Sequence, residues 1–212
     1  MTNLHRVGLV GDVHAEDSFL EIALRFLQSR NVDAMLCTGD IVDGPDDVNR
    51  CCELLQQFDV QVVRGNHDRW ILASEMRQLP DANFLVDLSD ATRNYLGNLS
   101  SVLPFETVAG ELLLCHGLGF NDMARLTPDD HGYALERNKE LQQLLRSDLR
   151  FVVAGHTHRR MVRKIGEITF INVGTLLHNR SPGFALADFE TREVQFCDFV
   201  DGEVRAAQTF RF

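Results

Sequence analysis

Residues of the types that bind transition metals recur beside glycine along this 212-residue chain. They form five segments: Gly11-Asp12-Val13-His14, Gly39-Asp40, Gly65-Asn66-His67-Asp68, His116-Gly117 and Gly155-His156-Thr157-His158. Mixed carboxylate, imidazole and amide donors suit Mn²⁺, Fe, Zn²⁺, Co²⁺ or Ni²⁺ and do not select one. Two such ions ~3.5–4 Å apart polarise a phosphoryl oxygen and make a bridging water a hydroxide near neutral pH. That hydroxide can attack phosphorus in line, while the metals meet the charge growing on the oxygens. Taken singly, each segment has a plainer reading. Gly-Asp is a common turn dipeptide, Asn66 suits a turn, and His116 suits a buried histidine with satisfied ring nitrogens. The conjunction carries the argument, because five of the eight histidines fall in these five segments.

Such segments need a scaffold that brings distant turns together. Residues 7–10, 34–37 and 60–63 are short apolar runs that read as buried strands, each followed by one of the glycine turns. Between the first two, Ser18 and Glu21 have capping-box spacing, and Leu20, Ala23, Leu24 and Leu27 repeat at helical spacing. Val48, Cys51, Cys52, Leu55 and Phe58 make a second helical stripe after Gly44-Pro45-Asp46-Asp47. Strand–helix–strand–helix–strand implies parallel pairing with right-handed crossovers. Open α/β sheets place their sites at the carboxyl ends of strands, so the five segments can converge on one crevice. Further on, the pattern predicts helices over 71–78, 89–99 and 133–145, and buried strands at 112–115 and 151–154. The texture then turns to β, at 161–165, 168–172, 184–189, 194–200 and 204–212. Without a linker or repeat, residues 1–212 read as one α/β domain with a strand-rich C-terminal third.

The ordered set Gly-Asp-Val-His, Gly-Asp-Ile-Val-Asp, Gly-Asn-His-Asp, His-Gly and Gly-His-Thr-His resembles the calcineurin-like metallophosphoesterase superfamily. The resemblance implies a four-layer αββα sandwich, two mainly mixed sheets flanked by helices, and a two-metal centre. By that pattern Asp12, His14, Asp40 and His158 hold one divalent ion. Asp40, Asn66, His116 and His156 hold the other, with Asp40 bridging. His67 is then a non-ligand acid or transition-state stabiliser. Its place beside Asn66 lets it protonate the leaving oxygen, and Asp68 can fix its tautomer, unless Asp68 simply caps a helix before Trp70. The segment Arg64-Gly65-Asn66-His67-Asp68 looks like the Arg-Gly-Asn-His-Glu stretch of serine/threonine protein phosphatases. However, no arginine follows Asp43 as it does there. Asn172-Val173-Gly174-Thr175 resembles the Asn-Pro-Gly-Ser turn of small bacterial phosphodiesterases of the superfamily.

Composition narrows the function. A formal charge of −10 disfavours a protein that coats nucleic acid. The longest apolar run is four residues, too short for a membrane span or a signal-peptide core. Five cysteines, an odd number with Cys51 and Cys52 adjacent, the rest scattered and no paired metal spacing, indicate a reducing, cytoplasmic setting. The expected partner is a small phosphorylated substrate, and the sequence sets no oligomeric state. Arg69, Arg159 and Arg180 are candidates to meet substrate phosphate, each with surface pairing as the plainer alternative. The leading expectation is a phosphoesterase acting on a small or nucleotide phosphodiester, with His67 as general acid. A phosphomonoesterase is the enzyme alternative, and a non-catalytic interaction scaffold is the alternative of another class.

Overall fold

A computed structural model describes residues 3–212; the first two residues of the expected domain lie outside the described ones. The first half of the chain runs β1 (Arg6–Val10), α1 (Asp17–Ser29), β2 (Ala34–Cys37), α2 (Val48–Gln57) and β3 (Gln61–Val62). Its three strands pair in parallel through helical crossovers. After α3 (Asn66–Leu72) and α4 (Asp90–Gly97), a second sheet is laid down from β4 (Val102–Thr107) and β5 (Gly110–Cys115). Helices α5 (Tyr133–Arg137) and α6 (Lys139–Leu144) precede β6 (Phe151–Ala154), β7 (Met161–Ile165) and β8 (Ile168–Asn172). The chain then returns to the first sheet through β9 (Gly183–Asp188), β10 (Glu193–Val200) and β11 (Glu203–Arg211). The two sheets have the orders β11-β10-β9-β1-β2-β3 and β4-β5-β6-β8-β7, and both mix parallel with antiparallel pairs.

Period-two alternation makes the layers. Val7, Leu9 and Leu36 face inward and meet Leu112, Leu114, Val153 and Ile171 of the other sheet. Their neighbours Val10, Met35 and Cys37 face outward, under Leu20, Leu24, Cys51 and Leu55 of α1 and α2. On the far side, Val152, Ala154 and Phe170 pack against Leu141 and Leu144 of α6. The result is the four-layer αββα sandwich.

Local details depart from the sequence expectations for identifiable reasons. The Ser18–Glu21 capping box does not form, because α1 begins at Asp17 and Ser18 lies inside it. Glu21 pairs instead with Arg25 and Arg50. The helix expected over 71–78 begins earlier, at Asn66, since Asp68 accepts the Gly65 N–H at 2.9 Å and starts the turn there. The helix expected over 133–145 breaks in two at Asn138, whose side chain caps α6 through the Leu141 N–H. Strand β4, which the sequence pattern does not predict, contains Pro104; it lies at the sheet edge beside β5, where a missing N–H is tolerated, and Leu4 bridges to it at Thr107.

Candidate metal centre

The seven candidate ligands gather at the carboxyl end of both sheets. Asp12 and His14 follow β1, Asp40 follows β2, and Asn66 opens α3; His116 follows β5, and His156 and His158 follow β6. Asp12, His14, Asp40, His156 and His158 all have left-handed backbone, with φ between 46° and 65°. Side chains with a Cβ rarely adopt it, and each instance costs roughly 1–3 kcal/mol unless its surroundings enforce it. Close approach explains two of the flanking glycines: a Cβ on Gly65 would overlap Asp40, and one on Gly155 would press on Asp12 and Thr38.

The loops are enforced by one another. His14 and Ala15 donate backbone N–H groups to the carbonyls of Asp40 and Ile41, each at 2.8 Å. The Asn172 amide donates to the Gly155 carbonyl at 2.5 Å and to Thr157 Oγ1 at 3.1 Å. Thr175 Oγ1 donates to the Asp12 carbonyl at 2.7 Å. The Asn172-Val173-Gly174-Thr175 turn therefore buckles the His156–His158 loop to the Asp12 loop.

The donor atoms face each other in a way that asks for a cation. His14 Nδ1 donates to the Asp43 carbonyl at 2.9 Å, which leaves its Nε2 lone pair free. That Nε2 stands 3.1 Å from His158 Nε2. Burial lowers the pKa of both rings, that of His158 to about 3, so both stay neutral, the state in which an imidazole can ligate a metal. On the other side, His116 Nδ1 donates to the Thr38 carbonyl at 2.7 Å. Its Nε2 lies 2.9 Å from Asn66 Oδ1 and 3.2 Å from Asp40 Oδ2. His156 Nδ1 also lies 2.9 Å from Asn66 Oδ1. Asp12 Oδ2 is buried without any hydrogen-bond partner, an orphan that a bound cation would satisfy. Without metal, burial works against charge on His116, but Asp40 overrides it and pushes the ring up to about 10. Burial raises Asp12 to about 7 against the pull of His116. Asp40 belongs to each of three overlapping donor clusters: with His14 and His67, with His116 and His156, and with Asp12 and His158. The residues fit a divalent-metal centre built around Asp40.

His67 sits beside these donors, half-buried, its ring centroid 5.0 Å from that of His14. Asp68 does not hold it. Asp68 accepts backbone N–H groups of Asp40 at 3.0 Å, Ile41 at 2.8 Å and Gly65 at 2.9 Å, clamping the β2 loop to α3. The carboxylate on His67 is Asp43, whose Oδ2 accepts from Nδ1 at 2.7 Å. Arg77 grips Asp43 through both terminal nitrogens, at 2.7 and 2.9 Å, and the Asn83 N–H donates to it at 3.0 Å. Burial opposes charge on His67, but the Asp43 hydrogen bond and the field of Asp40 raise its pKa overall. The sequence pattern assigns Asp43, the last residue of Gly-Asp-Ile-Val-Asp, no role; its position three residues after Asp40 is the signal it offers. Arg77 lies in an irregular stretch and carried none.

The three arginines proposed for phosphate differ in availability. Arg69 donates to Asp122 through two nitrogens, at 2.7 and 3.0 Å. Arg159 is paired with Asp129 at 2.6 Å on the surface. Arg180 has no carboxylate partner among the described residues, and its charge helps depress the His158 pKa. His178 is held by the buried Glu16, which accepts its N–H at 2.8 Å and Nδ1–H at 2.6 Å. That contact fixes the loop carrying Arg180.

Residues 6–192 match the calcineurin-like phosphoesterase superfamily domain, and the chain belongs to that family. An uncharacterized protein of Methanocaldococcus jannaschii is 30% identical over 69 residues, 32% of this chain and 28% of that protein. Among solved structures, a hypothetical protein from Pyrococcus horikoshii OT3 shares the fold with a TM-score of 0.74 at 18% identity, covering 91% of this chain and 87% of that one. A metallophosphoesterase from Sphaerobacter thermophilus shares it with a TM-score of 0.67 at 20% identity, covering 92% of this chain and 87% of that one.

Proposed function

We propose that this chain is a binuclear metal-dependent phosphodiesterase acting on a small or nucleotide phosphodiester, with Asp12, His14, Asp40, Asn66, His116, His156 and His158 as ligands. The observation that carries the reading is the convergence of buried imidazole, carboxylate and amide donors on Asp40, together with the orphaned Asp12 oxygen. Two divalent ions held there supply Lewis acidity toward the phosphoryl oxygens and a lowered pKa for water. Asp43 engages Nδ1 of His67, which leaves Nε2 as the nitrogen that donates a proton to the departing oxygen. Arg180 meets a phosphate oxygen.

A singly charged diester suits this site better than a doubly charged monoester. Arg69, Arg77 and Arg159 are already neutralised by carboxylates, which leaves Arg180 as the guanidinium for the phosphate itself. Among the described residues all five cysteines are free and buried, which fits a reducing, cytoplasmic setting, and no helix is long and apolar enough to cross a membrane. The test is turnover of bis-p-nitrophenyl phosphate against p-nitrophenyl phosphate with added Mn²⁺. The diester is expected to be the better substrate. Preference for the monoester would favour a phosphatase, and inertness toward both with metal bound would favour a scaffold.

A further inference from the structure

Beside the metal donors, between α3, the loop after β5 and α6, runs an open groove of about 800 Å³. Its walls are Leu113, Leu118, Leu144 and Leu149, and Phe120 stands at the rim with 78% of its surface exposed. It adjoins the centre through two strand ends. Leu118 lies two residues past His116, and Arg64 lies two residues before Asn66. Arg69, three residues after Asn66 on the same helix face, crosses to Asp122 and forms the lip between groove and donors.

The charges within it are unequally spent. Arg69 and Asp122 neutralise each other, and Glu140 accepts from the Asn121 amide at 2.7 Å on the α6 side. Arg64 is half-buried and has neither a carboxylate nor a carbonyl partner for its guanidinium among the described residues. Apolar walls with a few placed polar groups, in a volume of this order, are the usual make-up of a small-molecule site.

The geometry points to this groove as the seat of one organic arm of the substrate: a planar apolar ring carrying a negative charge that Arg64 receives. The inference rests on the phosphodiesterase reading above and narrows its substrate to diesters with such an arm. An unsubstituted alkyl arm leaves the groove to water and Arg64 unpaired. A ring buries apolar surface against the leucines, and an anionic group on its edge adds a charge-assisted bond.

Methyl, phenyl and 4-carboxyphenyl esters of p-nitrophenyl phosphate share one leaving group and differ only in the second arm. With the Mn²⁺-loaded protein, KM is expected to fall about tenfold from methyl to phenyl and about threefold more to carboxyphenyl, with kcat little changed. Arg64→Gln removes the second step and keeps the first. Gln143→Trp and Ser147→Trp, at exposed positions lining the groove, bring the methyl-to-phenyl ratio toward one. Equal KM values across the three esters, or a ratio untouched by both tryptophan variants, would overturn the groove while leaving the phosphodiesterase reading intact. If no ester is hydrolysed with metal bound, that reading falls and the groove falls with it.

Discussion

Asp43→Asn separates the chemistry of His67 from its mere presence. The carboxylate is almost fully buried and serves three partners at once, His67 Nδ1 at 2.7 Å, the Arg77 guanidinium at 2.7 and 2.9 Å and the Asn83 N–H at 3.0 Å. The introduced amide has one acceptor oxygen, so one partner must face its NH₂ group. Leaving a largely buried guanidinium without its anion costs about 3 kcal/mol. In a chain of this length that lowers Tm by about 6–12 °C. The metal ligands are not touched, so metal content is expected to stay native. Activity should fall with leaving-group basicity, because general acid catalysis contributes ~10²–10⁴-fold only where the departing oxygen needs a proton. An alkyl diester is expected to lose roughly 10- to 100-fold, the part of that contribution lost with orientation and charge support, and a p-nitrophenyl diester clearly less. The pH profile gives a second reading. Asp43 raises the His67 pKa against the opposing effect of burial, so its removal lowers that pKa. A proton donor is lost as pH climbs through its pKa, and the alkaline limb of the alkyl-ester profile therefore moves to lower pH. Equal losses on both substrates with an unmoved alkaline limb would refute the general-acid role.

Mn²⁺ titration of metal-free protein is expected to saturate near two equivalents per chain, with Asp40→Ala disturbing both sites and Asn66→Ala mainly one; saturation at one would sink the binuclear assignment. His116, pushed up to about 10 by Asp40, carries a proton in the metal-free protein at pH 7.5 and must release it to bind. Calorimetry in buffers of different ionisation enthalpy is therefore expected to show at least one proton released per chain, and none would refute the arrangement. Because the folded His116 pKa lies above its ordinary 6.5, its stabilisation is complete below that pH and is lost as pH rises toward 10. The Tm of metal-free protein is accordingly expected to fall across that interval. Arg180→Gln should raise KM for a small diester about tenfold, whereas Arg159→Gln, already paired with Asp129, should change it less than about twofold; the reverse order would reassign the phosphate contact.

The donor set was legible because each segment is announced locally, by an apolar run upstream and a glycine beside the donors. The alternating strand–helix order then brought the turns to one end, as parallel pairing requires. Contacts that close between distant segments were not legible. Asp43 and Asp68 are both acidic residues near His67 in space, but only tertiary geometry shows that Asp68 faces four backbone N–H groups while Asp43 takes the imidazole. Likewise, Arg69 and Arg180 look alike as letters, and only the position of Asp122 separates them. Strand β4, with Pro104 inside it, was not legible either, since a sequence window carries no sign of which strand lies at an edge.

The donors are divided between the two sheets. Asp12, His14, Asp40 and Asn66 hang from the first, and His116, His156 and His158 from the second. Under the proposed assignment each ion takes ligands from both, so each acts as a rivet through the sandwich, driven at one end only. Ions that bind the folded chain alone add roughly 2.7 kcal/mol apiece at a hundredfold excess over Kd. That grip is applied at the left-handed ligand loops, while the opposite end, with its β4–β5 and β7–β8 hairpins, is held by strand pairing and side-chain packing. A chelator would therefore unpin the molecule from one edge, like a book whose clasp is opened while its spine stays sewn.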